Sequence, residues 1–261
     1  MHGQVPLPGY YYPFFATIQS VMCGRFSIAV RIGYLAERFG VSEPVGLLLP
    51  MFNIAPGEEV PVITWNGTLQ CSMMQWGLIP SWTTGENPAL TPINARAEGL
   101  IEKKMFRSLL SKGRCVIPAT GFYDWKKSGE EKYPWYFRMK DLEIFGIAGL
   151  FDSWKAPDER IVRSFSIITT LPNSLVVPYH DRMPAILKQE DERKWLDPGI
   201  HFNDELATLL TPYTPEDMET YRVTKLVNSP SFKSGATVME EMPGIARDQV
   251  TWSSRQAHLP K

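Results

Sequence analysis

The chain has 261 residues, 44% of them apolar and 12% aromatic, with a formal net charge of −1. That length and apolar content can bury a sizeable core, and the balanced charge excludes a protein that holds nucleic acid by overall basicity, so any polyanion site has to come from local arginine placement. The three cysteines, Cys23, Cys71 and Cys115, have no paired spacing, and the apolar runs are too short to span a bilayer; this argues against a disulfide framework, a zinc site or a membrane anchor and suits a reducing cytoplasm.

Residues 1–21 contain no Lys, Arg, Asp or Glu and carry prolines and a Tyr/Phe cluster where a signal peptide would have a basic start and a clean apolar stretch. They read as a disordered leader, or one outside the native chain, with translation starting at Met22. A pro-segment that is cut away is the alternative. Cys23 follows at once. Buried in mid-chain it is an ordinary small apolar residue. With Met22 removed, it would present an α-amine and a thiol on adjacent carbons. Such a 1,2-aminothiol attacks an aldehyde with nitrogen and closes a thiazolidine with sulfur. An α-amine titrates near ~7.7–8.0, so it is usable close to neutrality, and a thiol is strongly nucleophilic as thiolate.

Ile28–Phe39 has apolar residues at helical spacing and predicts a helix ended by Gly40. Glu59–Trp65 and Leu69–Trp76 alternate as strands around the Asn66-Gly67 turn. Trp76 to Trp82 is a Gly/Pro-punctuated aromatic loop, whose tryptophans either pack in the core or offer a platform to a base. From Asn94 to Phe106 the pattern predicts a helix. Asn94 and Arg96, two apart, would face one side if extended; they suit a phosphate or sugar oxygen, or Arg96 pairs with Glu98. Arg114–Ala119 reads as a buried strand leading into Gly121-Phe122-Tyr123-Asp124-Trp125. A carboxyl set between aromatics has a raised pKa and can transfer protons near neutrality, although an aspartate in a turn also serves as a backbone cap.

Lys126–Lys132 reads as a polar hairpin tip, Trp135–Met139, Ile144–Phe151 and Arg163–Thr170 as strands, and Lys155–Arg160 as an exposed loop. His180 lies between Pro178 and Pro184 beside Asp181 and Arg182. Histidine titrates near physiological pH, which makes His180 the chain's general acid/base candidate or a hydrogen-bonded structural residue. Asp191–Leu196 and Asp204–Leu210 read as helices, Tyr221–Val227 as a last strand and the C-terminal stretch as a disordered tail.

In order, Cys23-Gly24-Arg25, Asn53-Ile54-Ala55-Pro56, Trp76-Gly77-Leu78-Ile79-Pro80-Ser81-Trp82, Asn94-Ala95-Arg96-Ala97-Glu98, Arg114-Cys115-Val116-Ile117-Pro118, Gly121-Phe122-Tyr123-Asp124-Trp125 and His180-Asp181-Arg182-Met183-Pro184 stand as seven separate motifs. Together they closely resemble the SRAP family, the SOS-response-associated peptidases or abasic site processing proteins, over about Met22 to Ile245. The resemblance implies an α+β fold: a single SRAP-type domain over 22–245 with a mixed, barrel-like β core and peripheral helices, between a 1–21 leader and a disordered 246–261 tail. It implies a cytoplasmic monomer (nucleoid-associated if bacterial), without cofactor or metal, that takes single-stranded DNA containing abasic sites.

Further implications of the resemblance fall on individual residues. Cys23 would be the nucleophile that crosslinks the open-chain aldehyde. Asn94 would orient the sugar, and His180 would handle protons in ring opening. Arg25, Arg96 and Arg182 would hold flanking phosphates, and Trp76 and Trp125 would stack on bases. The family motif usually reads Gly-Phe-Tyr-Glu-Trp with the glutamate as catalytic acid/base, so Asp124 is one methylene shorter at that position. The leader is the second departure, because Cys23 has no free amine while residues 1–21 are attached. Two other functions fit the same residues: a thiol peptidase using Cys23 with His180, and a non-covalent single-stranded DNA-binding protein.

Overall fold

A computed structural model describes residues 23–43, 50–85, 88, 91–233 and 236–242. The leader and the C-terminal tail lie outside the described residues. Among the described residues thirteen strands run in chain order: β1 (Phe26–Ile28), β2 (Met51–Ile54), β3 (Glu59–Trp65), β4 (Leu69–Trp76), β5 (Asn94–Arg96), β6 (Arg114–Ala119), β7 (Gly121–Ser128), β8 (Glu131–Met139), β9 (Phe145–Lys155), β10 (Ile161–Thr170), β11 (Met183–Pro184), β12 (Ile186–Leu187) and β13 (Met218–Arg222). Five short helices flank them: α1 (Ile32–Phe39), α2 (Lys104–Arg107), α3 (Leu109–Lys112), α4 (Glu192–Leu196) and α5 (Asp204–Ala207).

The strands β10, β4, β3, β6 and β9 pair in sequence, and β9 pairs again with β10, which closes a barrel. Only the β10–β4 contact in this ring is parallel; the other four are antiparallel. Closure leaves the barrel's inner strands no free edge. Every residue of β6 is therefore buried, and the guanidinium of its one charged residue, Arg114, donates to carbonyls of Trp195 and Ile200 at 2.5 and 3.0 Å and of Leu110 and Asp197. A second sheet, ordered β13-β8-β7-β1-β2, packs onto the barrel. Phe26, Phe122 and Phe137 from this sheet share one apolar cluster with Val116, Ile147 and Phe165 of the barrel. The fold is thus the expected α+β domain with a mixed, barrel-like β core.

Four sequence expectations are corrected. The helix expected from Ile28 begins at Ile32, because Phe26–Ile28 pairs with both β2 and β7. The helix expected over Asn94–Phe106 is instead a strand, β5, a 3-10 turn at Ala97–Gly99 and the four-residue α2. Parallel pairing of Asn94, Ala95 and Arg96 with Ile167, Ile168 and Thr169 captures that backbone, a tertiary partner that overrides local propensity. The last strand ends at Arg222, and a 3-10 turn at Lys225–Asn228 follows, capped by the Thr224 hydroxyl accepting the Leu226 N–H. The Lys126–Lys132 tip is mostly strand: β7 and β8 stay in register to Ser128 opposite Glu131, turning at Gly129 with φ 64°.

Candidate active site

The site forms where one end of the second sheet meets the open end of β10. Phe26 opposes Phe122 in the β1–β7 pair, and the Tyr123 N–H donates to the Arg25 carbonyl at 3.0 Å. Carried two residues further, this antiparallel register sets Gly24 against Asp124, so β7 delivers its carboxylate beside Cys23. Gly121 makes room for Tyr136 of β8: a Cβ there would lie 2.2 Å from the Tyr136 ring, whose hydroxyl bonds Ser27 Oγ at 2.8 Å. On the other side, β10 carries β5 along one edge and β11 along the other. This brings Asn94 and Arg96 together with the 178–184 loop that holds His180 and Arg182.

Cys23 is 3% exposed, and its backbone is in the left-handed region at φ 40°, a conformation that costs a non-glycine residue about 1–3 kcal/mol. Burial pushes its thiol pKa well up; the nearby Asp124 carboxylate pushes it further, and Arg182 opposes both. Asp124 is 3% exposed. Its Oδ1 accepts the Trp125 N–H at 2.8 Å, while its Oδ2 is buried without a hydrogen-bond partner among the described residues. Burial lifts its pKa to about 6, and the neighbouring His180 holds back part of that rise.

His180 Nδ1 lies 3.1 Å from the Arg182 backbone nitrogen and 2.8 Å from Asp181 Oδ1. These contacts require opposite protonation of the same nitrogen. Accepting from the Arg182 N–H leaves the ring proton on Nε2; donating to Asp181 places a proton on Nδ1 and allows an imidazolium.

The three arginines separate by environment. Arg182 is buried and donates to both Glu98 oxygens at 2.7 and 2.8 Å and to the Thr169 carbonyl at 2.6 Å. Arg25 is buried and donates through Nη1 to Asn53 Oδ1 and the Val227 carbonyl, both at 2.8 Å. Arg96 is exposed. Trp125 is half-buried, with its indole N–H on Asn228 Oδ1 at 2.8 Å.

Trp76 does not offer a stacking face. It is 1% exposed, edge-on to Phe26 at 5.0 Å and stacked on Phe165 at 6.5 Å, with its indole N–H on the Ile93 carbonyl at 3.0 Å. It ends β4 buried between Phe26 of the second sheet and Phe165 of β10, which is the reason it packs rather than binds.

Two contributors escaped sequence reasoning. Asn53 donates to the carbonyls of Val227, Ser229 and Phe232 at 3.3, 3.0 and 3.0 Å, and so fastens the 227–233 segment next to Arg25 and Trp125. Nothing local in Asn53-Ile54-Ala55-Pro56 signals partners so far along the chain. Thr169 has a buried hydroxyl without a hydrogen-bond partner among the described residues; the pair of hydroxyls ending β10 was its only sequence signal. Among the described residues no group of three or more His, Cys, Asp or Glu could hold a metal ion, and no helix is long and apolar enough to cross a membrane.

Residues 22–230 match the family model for the SOS response associated peptidase (SRAP). The chain is 41% identical over 217 residues to the abasic site processing protein YoqW of Bacillus subtilis (strain 168), covering 82% of this chain and 97% of that one. It is 30% identical over 212 residues to the abasic site processing protein HMCES of Xenopus tropicalis, covering 69% of this chain and 63% of the relative. A solved structure of a protein from Bacteroides thetaiotaomicron superposes with a TM-score of 0.78 at 32% identity, over 84% of this chain and all of that one.

Proposed function

The chain belongs to the SOS response associated peptidase (SRAP) family, and from that premise we propose that it captures abasic sites in single-stranded DNA as a covalent crosslink through Cys23, protecting the lesion in the response to DNA damage. The observation that carries this reading is the partnerless, buried Oδ2 of Asp124 beside the Cys23 thiol. Oδ1 is held by the Trp125 N–H, which leaves Oδ2 free to take a proton.

The chemistry follows from the groups present. Removal of the chain through Met22, by the family's self-processing activity or by an aminopeptidase, frees the Cys23 α-amine. That amine attacks the C1′ aldehyde of the ring-opened deoxyribose, and the carbinolamine loses water to give an imine. Sγ then adds to the imine carbon, and the thiol proton passes to the former imine nitrogen, which closes the thiazolidine. The Cys23 thiol resists ionisation because it is buried, so sulfur addition needs a base close by. Asp124, with a pKa of about 6, is ionised at neutral pH yet remains basic enough to accept that proton. His180 serves the protons of sugar ring opening and water loss. Asn94 orients the sugar. Exposed Arg96 meets a flanking phosphate, Arg25 and Arg182 add positive field from beneath, and Trp125 meets a base.

Intact mass spectrometry before and after incubation with a single-stranded oligonucleotide bearing one abasic site tests this reading. A chain beginning at Cys23 and a heat-stable adduct, one water lighter than the sum of protein and DNA and absent in Cys23→Ala, is the expected result. If a protein that begins at Cys23 forms no adduct, the proposal fails.

A further inference from the structure

The β7–β8 hairpin continues past the site, and its inner face carries an ordered series of cations and rings that the proposed chemistry does not use. Residues on one face of a strand alternate, about 6.6–6.8 Å apart at every second position. Asp124, Lys126 and Ser128 of β7 therefore share a face, opposite Trp135, Tyr133 and Glu131 of β8 in the paired register. Arg222 of β13 opposes Trp135 and joins the same face.

Side chains along this face interlock. Tyr179, next to His180, packs against Trp135 with centroids 5.1 Å apart. Lys126 Nζ lies 5.2 Å from the Tyr179 ring and 6.0 Å from the Trp135 ring. Further out, the Arg222 guanidinium stands 3.8 Å from the Tyr133 ring, and Lys225 lies 4.6 Å from the same ring. Among the described residues neither Lys126 nor Arg222 makes an ion pair or a side-chain hydrogen bond, while Lys225 is spent on Glu131, which also accepts the Tyr133 hydroxyl. Beyond Asp124, this face carries Lys126 and Arg222 against Glu131, while Lys127 and Lys132 pair with each other on the opposite face.

We propose that this face is a binding track for the single strand on one side of the lesion, with backbone phosphates at Lys126 and Arg222 and a base against Tyr133. This rests on the reading that the site takes abasic single-stranded DNA. The occupant is specified by three features. The row starts at the catalytic carboxylate, so a strand held there continues onto it. Lys126 of β7 and Arg222 of β13 stand on either side of Tyr133 and Trp135 of β8, so the cations flank the rings across the sheet. Rings interleaved with cations, among them Lys126 with no ion pair among the described residues, are the pattern that takes bases and phosphates without reading sequence.

The test uses fluorescence anisotropy and crosslink yield with oligonucleotides whose abasic site lies centrally, at the 5′ end or at the 3′ end. Each neutralised phosphate contributes about 0.7 to the salt slope of single-strand binding. Lys126→Ala and Arg222→Gln should each lower the slope by about 0.7 and, combined, weaken binding about 5–20-fold at moderate salt. The loss should be confined to oligonucleotides extending on one side of the lesion, the same side for both variants. Lys126→Arg should restore the slope at that position. Equal affinity and slope in wild type and variants overturn the track alone, as does a loss shared equally by both end-lesion substrates. Failure of the wild type to bind any of the oligonucleotides overturns the functional reading and the track with it. Lys126 is exposed, and its variant is not expected to change the thermal midpoint.

Discussion

Arg182 and Glu98 form a two-pronged pair, Nη1 to Oε1 at 2.7 Å and Nη2 to Oε2 at 2.8 Å, and Arg182 Nη2 also reaches the Thr169 carbonyl at 2.6 Å. One guanidinium thus ties the His180 loop to the turn after β5 and to the end of β10. The arginine is buried and the glutamate is half in solvent. Breaking the pair from the glutamate side strands a buried cation, whereas exposure of the carboxylate limits what its own loss costs.

Glu98→Gln should destabilise the fold by about 1–2 kcal/mol at pH 7. The hydrogen bond from Arg182 is the main reason that the Glu98 pKa lies below its ordinary 4.5. A depressed carboxyl pKa contributes stability above the unfolded value, and that contribution is lost as pH falls through the folded one. The difference between wild type and variant in urea midpoint should therefore shrink from pH 7 to pH 3. A difference that stays constant over this range would mean that charge plays no part.

Asp124 behaves with the opposite sign. Its pKa rises from 3.8 to about 6, so its contribution to stability is full below the unfolded value and is lost as pH climbs past about 6. Asp124→Asn removes a buried charge and should stabilise the fold by about 1–3 kcal/mol at pH 7.5, with little difference at pH 4. The same variant should slow crosslinking by about 10²–10⁴-fold and abolish any step in its rate near pH 6. Denaturation across pH and single-turnover crosslinking check the two halves separately, and a variant that is less stable at pH 7.5 would contradict the first.

Asn53 joins Arg25 to three carbonyls of the 227–233 segment. Asn53→Ala leaves buried Arg25 short of an acceptor and frees the segment, at a cost of about 2–4 kcal/mol. Hydrogen exchange should rise first in residues 225–233 while the barrel strands stay protected. Uniform acceleration throughout the chain would assign Asn53 to the global core instead.

Trp76 and Trp125 should part company. Trp76→Phe opens space between Phe26 and Phe165 and leaves the Ile93 carbonyl with the Ile167 N–H alone, which should cost about 1–3 kcal/mol with little change in DNA affinity once the protein is folded. Trp125→Ala should lower affinity for single-stranded DNA about 5–50-fold with a smaller loss of stability. Thermal melts paired with anisotropy separate the two, and a Trp76→Phe protein that stays as stable as wild type but binds poorly would reverse the assignment.

Local pattern in the chain determined β3, β4, β6 and β10, because alternating or wholly apolar runs bounded by Gly, Pro and Asn state their own geometry. The motif series around Cys23, Asp124 and His180 was equally legible, since chemistry-bearing residues are named by the sequence itself. The assignment of Trp76 to the core, of Arg25 and Arg182 to protein acceptors and of Phe26–Ile28 and Asn94–Arg96 to strands was decided only on folding. Each depends on a partner far along the chain: Ile167 for Asn94, Glu98 for Arg182, Val227 for Arg25. A residue's own neighbours set the period of its backbone, whereas its burial and its hydrogen-bond partners are set by segments that only the closed barrel and its docked sheet bring alongside.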